Sequence, residues 1–200
     1  MVRLPTVRRG PLAPSVLLSL REVMTQVIVL NGGSSSGKSS IARALQDILP
    51  KVWLTFGVDA LIEALPGRGD DPRSGLVLES DGTVTIQPEF RALEDVWYAG
   101  LAFMTHNGAS LILDEVLLTG GIGQRRLQGA LTGLDVLWIG VHCDPNAAAM
   151  REITRSDRVQ GMAMAQALAV HEEVMCDIEV DTTDYSALEC ARRITLRVTS

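Results

Sequence analysis

Apolar residues along the chain alternate between short unbroken runs and longer stretches with helical spacing. The short runs are apolar on both faces, which predicts buried strands, and the longer stretches place apolar residues three and four apart, which predicts helices. Strands are predicted at 27–30, 52–56, 110–116, 135–144 and 177–183, and helices at 39–49, 60–65, 88–107, 120–131, 146–154, 162–173 and 186–198. This order predicts an α/β fold with a five-stranded parallel sheet between two helical layers, a three-layer α/β/α arrangement.

The alternation stops between residues 66 and 87. Residues 66–75 are rich in Gly, Pro and Asp, which predicts a loop. Asp81-Gly82 then stands between two alternating runs, and this dipeptide accepts the positive φ angles of a tight hairpin turn. We therefore expect a loop and a small β-hairpin inserted above the sheet.

A polar, flexible segment joins the first predicted strand to the first helix. Residues 32–39, GGSSSGKS, match G-x-x-x-x-G-K-[ST] in the strand-to-helix context that this phosphate-binding motif requires. Inward-facing N–H groups and the helix N-terminus attract phosphate, Lys38 would reach the β- and γ-phosphates, and the Ser39 hydroxyl would hold Mg²⁺. The alternative is a flexible connection without a ligand. The predicted nucleotide-binding residues are Gly32, Gly33, Ser34, Ser35, Ser36, Gly37, Lys38, Ser39 and Ser40, with ATP and Mg²⁺ as cofactors.

Two acidic residues end the predicted strand at 110–116. Asp114 and Glu115 would lie at the carboxyl edge of the sheet, where parallel sheets bind their ligands. Asp114 is predicted to hold Mg²⁺ together with Ser39, as a Walker B residue does. The alternative is that Asp114 or Glu115 caps the next segment. Which of the two acids faces the metal is open at this stage.

Asp59 follows the second predicted strand and should overlook the same edge of the sheet. A carboxylate at this position can accept the proton of a hydroxyl that attacks the γ-phosphoryl group. The alternative is that Asp59 caps the short helix at 60–65. The two roles are compatible.

Three arginines, Arg151, Arg155 and Arg158, lie close together in a stretch otherwise poor in cations. The first two are four residues apart, hence on one helix face. Guanidinium groups can neutralise charge on a transferred phosphoryl group. The alternative is a solvated helix end whose arginines pair with Glu152 and Asp157.

Composition narrows the possible functions. A formal net charge of -6 does not suit a partner with a phosphate backbone, so nucleic acid is not expected. The sequence contains no 18-residue apolar run, so no membrane role is expected. The three cysteines have no metal-ligand spacing, which fits packing roles and a cytoplasmic location. The three histidines, His106, His142 and His171, show no metal-site spacing either, and we predict structural roles for them.

Residues 1–23 do not contribute to the periodic pattern, which begins at Gln26. We expect a disordered N-terminal extension, with Met24 as the functional start. Residues 24–200 are expected to form a single domain of ordinary size.

Several segments together resemble chloramphenicol phosphotransferase: VIVLNGGSSSGKSSI, WLTFGVDALIEALP, PEFRALE, DVLWIGVHCD and the spaced motif DRV.GMA. The resemblance covers nearly everything from residue 24 onward. It implies an adenylate-kinase-like fold of the P-loop nucleoside triphosphate hydrolase class. It also implies transfer of the ATP γ-phosphate to the 3-hydroxyl of chloramphenicol. Within it, Asp59 matches the catalytic aspartate, and Arg151, Arg155 and Arg158 match an arginine-bearing lid at 151–161.

We therefore expect an ATP-dependent O-phosphotransferase that acts on a small, chloramphenicol-like hydroxyl compound and so inactivates an antibiotic. Asp59 would be the general base, and Phe56, Val58, Leu61 and Ile62 would line the acceptor pocket near it. One alternative is a kinase of another metabolite, such as a nucleotide, shikimate or a sugar-like compound. Another is an ATP-binding regulatory module without turnover.

Overall fold

The structure, a computed structural model, describes residues 25–69, 71–79, 83–153 and 161–198 of the 200-residue chain. Its strands are β1 (Val27–Asn31), β2 (Leu54–Gly57), β3 (Leu76–Leu78), β4 (Val84–Ile86), β5 (Leu111–Glu115), β6 (Val136–His142) and β7 (Ile178–Asp181). Its α-helices are α1 (Lys38–Ile48), α2 (Val58–Ala64), α3 (Pro88–His106), α4 (Gly121–Ala130), α5 (Pro145–Ile153), α6 (Met162–Ala169) and α7 (Ala187–Val198). Two short 3-10 turns cover Pro66–Gly69 and Pro72–Ser74.

Strands β1, β2, β5, β6 and β7 form one parallel sheet in the order β2-β5-β1-β6-β7. The predicted five-stranded parallel sheet is therefore confirmed. Strand β1 lies at its centre, with β5 on one side and β6 on the other. Because all five strands run in the same direction, the segments that follow them meet at one edge.

The core lies in two layers, one on each face of the sheet. Along β1, Ile28 and Leu30 pack toward α1 and α7, whereas Val27 and Val29 pack toward α3 and α4. All four side chains are buried. Burial on both faces explains why the strand is apolar at every position instead of alternating, and it confirms the predicted three layers.

The predicted hairpin is present as the antiparallel pair β3 and β4, in which Leu76 opposes Ile86. This pair is separate from the five-stranded sheet. It connects the loop after α2 to the long helix α3. The predicted turn residues Asp81 and Gly82 lie outside the described residues.

Helix α6 ends earlier than predicted, at Ala169 instead of residue 173. Beyond it the chain turns, with Glu173 in the left-handed region at φ 55°. The Glu172 carbonyl then accepts a hydrogen bond from the N–H of Gly121 at 2.8 Å. Tertiary contact with the start of α4 therefore ends a pattern that would otherwise continue as helix.

Other predictions concern parts of the chain outside the described residues. These are the extension at 1–23 and most of the arginine segment, including Arg155 and Arg158. That residues 24–200 form a single domain stays a prediction. Within the described ranges, no helix has the length and apolar character needed to cross a membrane.

Candidate active site

The loop between β1 and α1 is tightly curved, and its own lysine side chain contacts its backbone. Gly37 has φ 93° and Ser35 has φ 57°, both in the left-handed region that lets consecutive N–H groups turn toward one point. The buried Lys38 ammonium donates a hydrogen bond to the Gly33 carbonyl at 2.9 Å. The geometry is that of an anion nest beside the start of a helix.

Two side chains of this loop suit a phosphate ligand. The hydroxyl oxygens of Ser34 and Ser35 are buried, have no hydrogen-bond partner among the described residues, and belong to residues that line the same cavity as Lys38. A buried polar group without a partner is unfavourable, so a ligand with many acceptor oxygens would satisfy these donors. Helix α1 also has no acidic residue in its first turn that would repel an anion. The residues present therefore fit the phosphates of ATP.

Asp114, at the end of β5, is the acid that faces the loop. The Ser39 hydroxyl donates to Asp114 Oδ2 at 2.6 Å, and Lys38 Nζ lies 3.6 Å from Asp114 Oδ1. A hydroxyl and a carboxylate oxygen at the start of α1 are ligands that suit Mg²⁺. Of the two acids, Asp114 is the one whose side chain contacts the loop, and its role as a Mg²⁺ ligand stays a prediction.

Glu115 points into the protein on the other side of the strand. It is buried, and its Oε2 lies 3.2 Å from the Tyr98 hydroxyl oxygen. Burial raises the pKa of Glu115 to about 8. The capping alternative is wrong for both acids, because α4 begins only at Gly121 and its N-cap is Gly120.

Asp59 lies in the first turn of α2. That helix begins at Val58 with Gly57 as its N-cap, so the proposal that Asp59 itself caps the helix is wrong. Gly57 pairs with Asp114 in the parallel register, and a Cβ atom on Gly57 would lie 2.1 Å from the Asp114 carbonyl oxygen. Only glycine permits this approach, which brings the start of α2 to the end of β5.

One cavity of about 310 Å³ joins the loop to Asp59. Lys38 and Ser39 line this cavity, and Asp59 lines it as well. The cavity also has an apolar wall from α2, the hairpin and the start of α3. The residues of this wall are Val58, Ile62, Leu76, Val84, Ile86 and Phe90.

Two of the four residues predicted to line an acceptor pocket line this cavity, and its use for an acceptor stays a prediction. Val58 and Ile62 face the cavity. Leu61 is instead buried within the protein, and Phe56 packs edge-on against Trp97 with ring centroids 6.0 Å apart. The sequence pattern of a short helix does not tell which residues line a cavity and which are buried in the protein, because neighbouring residues of one turn point to different surroundings.

Arg151, the predicted cation of the arginine segment that the structure describes, also lines the cavity. Its guanidinium donates to the Thr182 carbonyl at 2.7 Å and to the Cys143 sulfur at 3.3 Å. Its neighbour Glu152 is buried and accepts hydrogen bonds from the N–H groups of Gly161 and Ala163, which start α6. Glu152 is therefore engaged in capping α6.

Comparison with known proteins agrees with this geometry. Residues 25–199 match the family described as chloramphenicol phosphotransferase-like protein. The chain belongs to this family. The chain is also similar to a protein of Mycobacterium tuberculosis (strain H37Rv) that is named as an O-phosphotransferase by inference. The two are 33% identical over 184 residues, which cover 84% of this chain and 80% of that protein.

Solved structures agree on the fold. The Acinetobacter baumannii shikimate kinase, solved in complex with shikimate, has a TM-score of 0.57 at 15% identity and covers 88% of this chain and 94% of its own. A gluconokinase from Sinorhizobium meliloti 1021 has a TM-score of 0.57 at 18% identity, with 88% and 93% covered. The chain therefore has the P-loop kinase fold.

Sequence reasoning missed a charged group on the far wall of the cavity. Arg91, Glu94, Tyr98 and Arg126 line it there. Glu94 Oε2 accepts hydrogen bonds from both Arg91 and Arg126, and Oε1 accepts from the Tyr98 hydroxyl at 3.4 Å. The spacing of residues 91, 94 and 98 on one face of α3 is a signal that could have found three of the four.

Gln166 was also missed. It is buried in α6, lines the cavity, and accepts a hydrogen bond from the N–H of Ser34 at 2.9 Å. The side chain of Gln166 therefore accepts from one of the backbone N–H groups of the phosphate loop. The two residues are 132 positions apart, so no local pattern links them.

The histidines lie outside the cavity lining. His142 and His171 stack with ring centroids 4.1 Å apart. Burial, followed by the neighbouring His142, lowers the pKa of His171 to about 4. Within the described residues no cluster of three or more metal-ligating side chains occurs, and a structural role for the histidines stays a prediction.

Proposed function

We propose that the protein is an ATP-dependent O-phosphotransferase that transfers the γ-phosphoryl group to a hydroxyl of a small, partly apolar acceptor, with the 3-hydroxyl of chloramphenicol as the first candidate. One observation carries the proposal. A single cavity combines the phosphate loop, the carboxylate of Asp59 and an apolar wall large enough for a small molecule. Membership of the family and the name carried by its mycobacterial relative support the same reaction.

The loop end of the cavity would hold the triphosphate. Backbone N–H groups and the serine hydroxyls of residues 32–40 bind phosphate oxygens, and Lys38 moves from the Gly33 carbonyl to the β- and γ-phosphates. Ser39 and Asp114 would hold Mg²⁺. When bound, this ion would neutralise charge on the phosphate oxygens.

The acceptor end would present the hydroxyl. Asp59 accepts the hydroxyl proton as the oxygen attacks the γ-phosphorus, and ADP leaves with the bridging oxygen. Arg151 faces the cavity and would stabilise charge on the transferred group, as would Arg155 and Arg158 of the same segment. Exclusion of water from this site would prevent hydrolysis of ATP.

The apolar wall favours a chloramphenicol-like acceptor over the strongly polar acceptors of metabolite kinases. Five of its six residues are Val, Leu or Ile, and the sixth is Phe90. An acceptor with an apolar body buries surface against this wall, whereas a nucleotide or a polyol gains little there. A regulatory module without turnover would not require Asp59 in the same cavity as the phosphate loop.

The test is product analysis by mass spectrometry with purified protein, Mg-ATP and an acceptor panel of chloramphenicol, shikimate and a nucleoside. We expect phosphorylated chloramphenicol, and a decrease in kcat of about 10²-fold or more in Asp59→Asn with ATP binding retained. Glu63→Gln, an exposed residue on the same helix, is the control and should leave kcat within about twofold.

Other outcomes separate the alternatives. Phosphorylation of shikimate or the nucleoside alone would favour a metabolite kinase. ATP binding without turnover of any acceptor would favour a regulatory module. Full activity in Asp59→Asn would remove Asp59 from the mechanism.

A further inference from the structure

The far wall of the cavity contains a buried carboxylate between two guanidinium groups. The Glu94 side chain is 7% exposed, and its Oε2 accepts hydrogen bonds from Nη1 of Arg91 at 2.7 Å and from Nη1 of Arg126. All three side chains line the cavity. A carboxylate held in this way neutralises charge that would otherwise be presented to a ligand.

Glu94 is also fixed in place from a second side. Its Oε1 accepts from the Tyr98 hydroxyl, which is buried and lies within 3.2 Å of Glu115. Rotation of Glu94 away from the arginines would break this contact. The carboxylate is therefore a buried part of the wall that is held from two sides.

The charges of this wall balance. Arg91 and Arg126 carry two positive charges, while Glu94 and Asp95 carry two negative charges, and Asp95 accepts from Nη2 of Arg126. Asp95 differs in position, because its side chain is 64% exposed and does not line the cavity. Both acids contribute to this balance, but Glu94 lines the cavity, whereas water screens the charge of the exposed Asp95 more strongly.

We propose that Glu94 is a specificity-determining residue that makes the acceptor pocket select uncharged hydroxyl compounds, because its carboxylate engages two arginines, one of them shared with Asp95, that would otherwise recruit an anionic acceptor. The inference rests on the proposed function in one respect, that the acceptor lies in this cavity. An acceptor carboxylate near the wall would meet Glu94 and find both guanidinium groups already paired. An uncharged acceptor would meet no such repulsion and could still accept a hydrogen bond from Arg91 or Arg126.

The experiment uses two small primary alcohols that differ in charge, 4-(hydroxymethyl)benzoate and its methyl ester. Their dissociation constants are measured by calorimetry on the full chain at neutral pH, for the parent protein, Glu94→Gln and Asp95→Asn. Both substitutions remove one negative charge from a partner of Arg126, but one does so inside the pocket and the other at the surface. Each retains a side chain of nearly the same shape.

We expect the parent protein to bind the ester at least about tenfold more tightly than the benzoate. Glu94→Gln should shift this ratio toward the benzoate by about tenfold or more, and Asp95→Asn by about twofold or less. A ratio that moves no further in Glu94→Gln than in Asp95→Asn would overturn the assignment. So would a parent protein that prefers the benzoate.

The double variant Glu94→Gln/Arg126→Gln guards against misfolding as an explanation. It removes one charge of each sign, so the preference for the ester should return to within about threefold of the parent. A double variant that still favours the benzoate would overturn the charge-balance argument. Thermal unfolding of each variant checks that the measured protein is folded.

Turnover is measured separately with Mg-ATP and the same two alcohols. Phosphorylated product would support the proposed function. A Kd ratio that shifts as expected without phosphorylation of any alcohol, chloramphenicol included, would support Glu94 as the selectivity residue and overturn the proposed reaction. The two conclusions are therefore distinguishable.

Discussion

The two ends of the cavity are built in different ways. At the loop end, one continuous segment, 32–40, supplies backbone donors, hydroxyls and Lys38, and two left-handed residues fix its path. At the acceptor end, the wall comes from α2, the hairpin, α3 and α4, with apolar side chains beside a network of ion pairs. Under the proposed function, the first end would bind through backbone groups and the second through side chains that can be exchanged singly.

This difference indicates that nucleotide binding and acceptor choice are separable. A change at the loop end should affect every acceptor equally, because the same phosphates are bound each time. A change at the acceptor end should affect one acceptor more than another and leave ATP binding intact. An acceptor-specific effect of a change at the loop end, or a loss of ATP binding after a change at the acceptor end, would contradict this separation.

The largest effect is expected for Lys38→Ala. Loss of the ammonium that reaches the phosphates should lower kcat/KM for ATP about 10³-fold, while the Kd for the acceptor changes by about twofold or less. Lys51→Ala is the matched control, because Lys51 is exposed and its ammonium lies over the Trp53 ring, away from the cavity lining. Steady-state kinetics with calorimetry of acceptor binding measures both. ATP turnover preserved in Lys38→Ala would contradict the function proposed for the loop.

Gln166→Glu should give the next largest effect. The new carboxylate still accepts from the N–H of Ser34 but places negative charge beside the phosphate site, so KM for ATP should rise about 10-fold to 100-fold. Gln128→Glu makes the same charge change at an exposed position of α4 and should leave KM for ATP unchanged. Equal KM values for the two variants would show that Gln166 does not face the bound nucleotide.

Ile62→Ala and Leu61→Ala should separate the acceptor wall from the core. Ile62 lines the cavity, so its truncation should raise KM for the acceptor about tenfold without changing KM for ATP. Leu61 is buried away from the cavity, and its truncation should instead lower the free energy of unfolding by about 2–4 kcal/mol. Kinetics and urea unfolding of both variants test this. Similar KM changes in the two would contradict the assignment of Ile62 to the wall.

The smallest effect concerns His171, which lies on the far side of the phosphate loop. Burial keeps this group neutral in the folded protein, with the pKa lowered to about 4 from the ordinary value of about 6.5. His142, Glu179 and Lys38 are the charged or titratable groups that act on it. The unfolded chain therefore takes up a proton that the folded protein does not, and stability should be lost as pH falls from about 6.5 toward 4.

The variant His171→Gln should lose less stability over the same pH range. The slope of its unfolding free energy against pH should be smaller than that of the parent by up to about one bound proton. His106→Gln, at an exposed position, is the control and should behave like the parent. Urea unfolding at several pH values measures the slope. An identical slope in the parent and in His171→Gln would contradict the prediction.

The sequence predicted best what depends on local pattern. The strands of the sheet, the loop at 32–39 and the hairpin each have a periodic or motif signal within about a dozen residues, and the structure contains all three. The position of Asp114 beside the loop could be predicted because a core strand delivers it to the sheet edge, whereas its role as a Mg²⁺ ligand stays a prediction. Asp59 as general base, and Arg155 and Arg158 as cations of the site, stay predictions.

What the sequence did not predict depends on partners that are distant along the chain. Glu94 meets Arg126 across 32 positions, and Gln166 meets Ser34 across 132. A charged residue on a helix ordinarily lies in solvent, and only the packing of α3 against α4 shows that Glu94 is buried. The end of α6 was missed for a related reason, since contact with Gly121 overrides its helical spacing.

The approach of Gly57 to the Asp114 carbonyl has a practical consequence for redesign. A methyl group at position 57 would have to push apart two neighbouring strands just where Asp59, the proposed base, and Asp114, the proposed Mg²⁺ ligand, lie close to each other along the chain and the sheet. Libraries intended to change which alcohol is accepted should therefore leave this glycine untouched and vary the helix that begins immediately after it. Selection would then explore new pocket shapes while the spacing between the reacting groups is inherited unchanged.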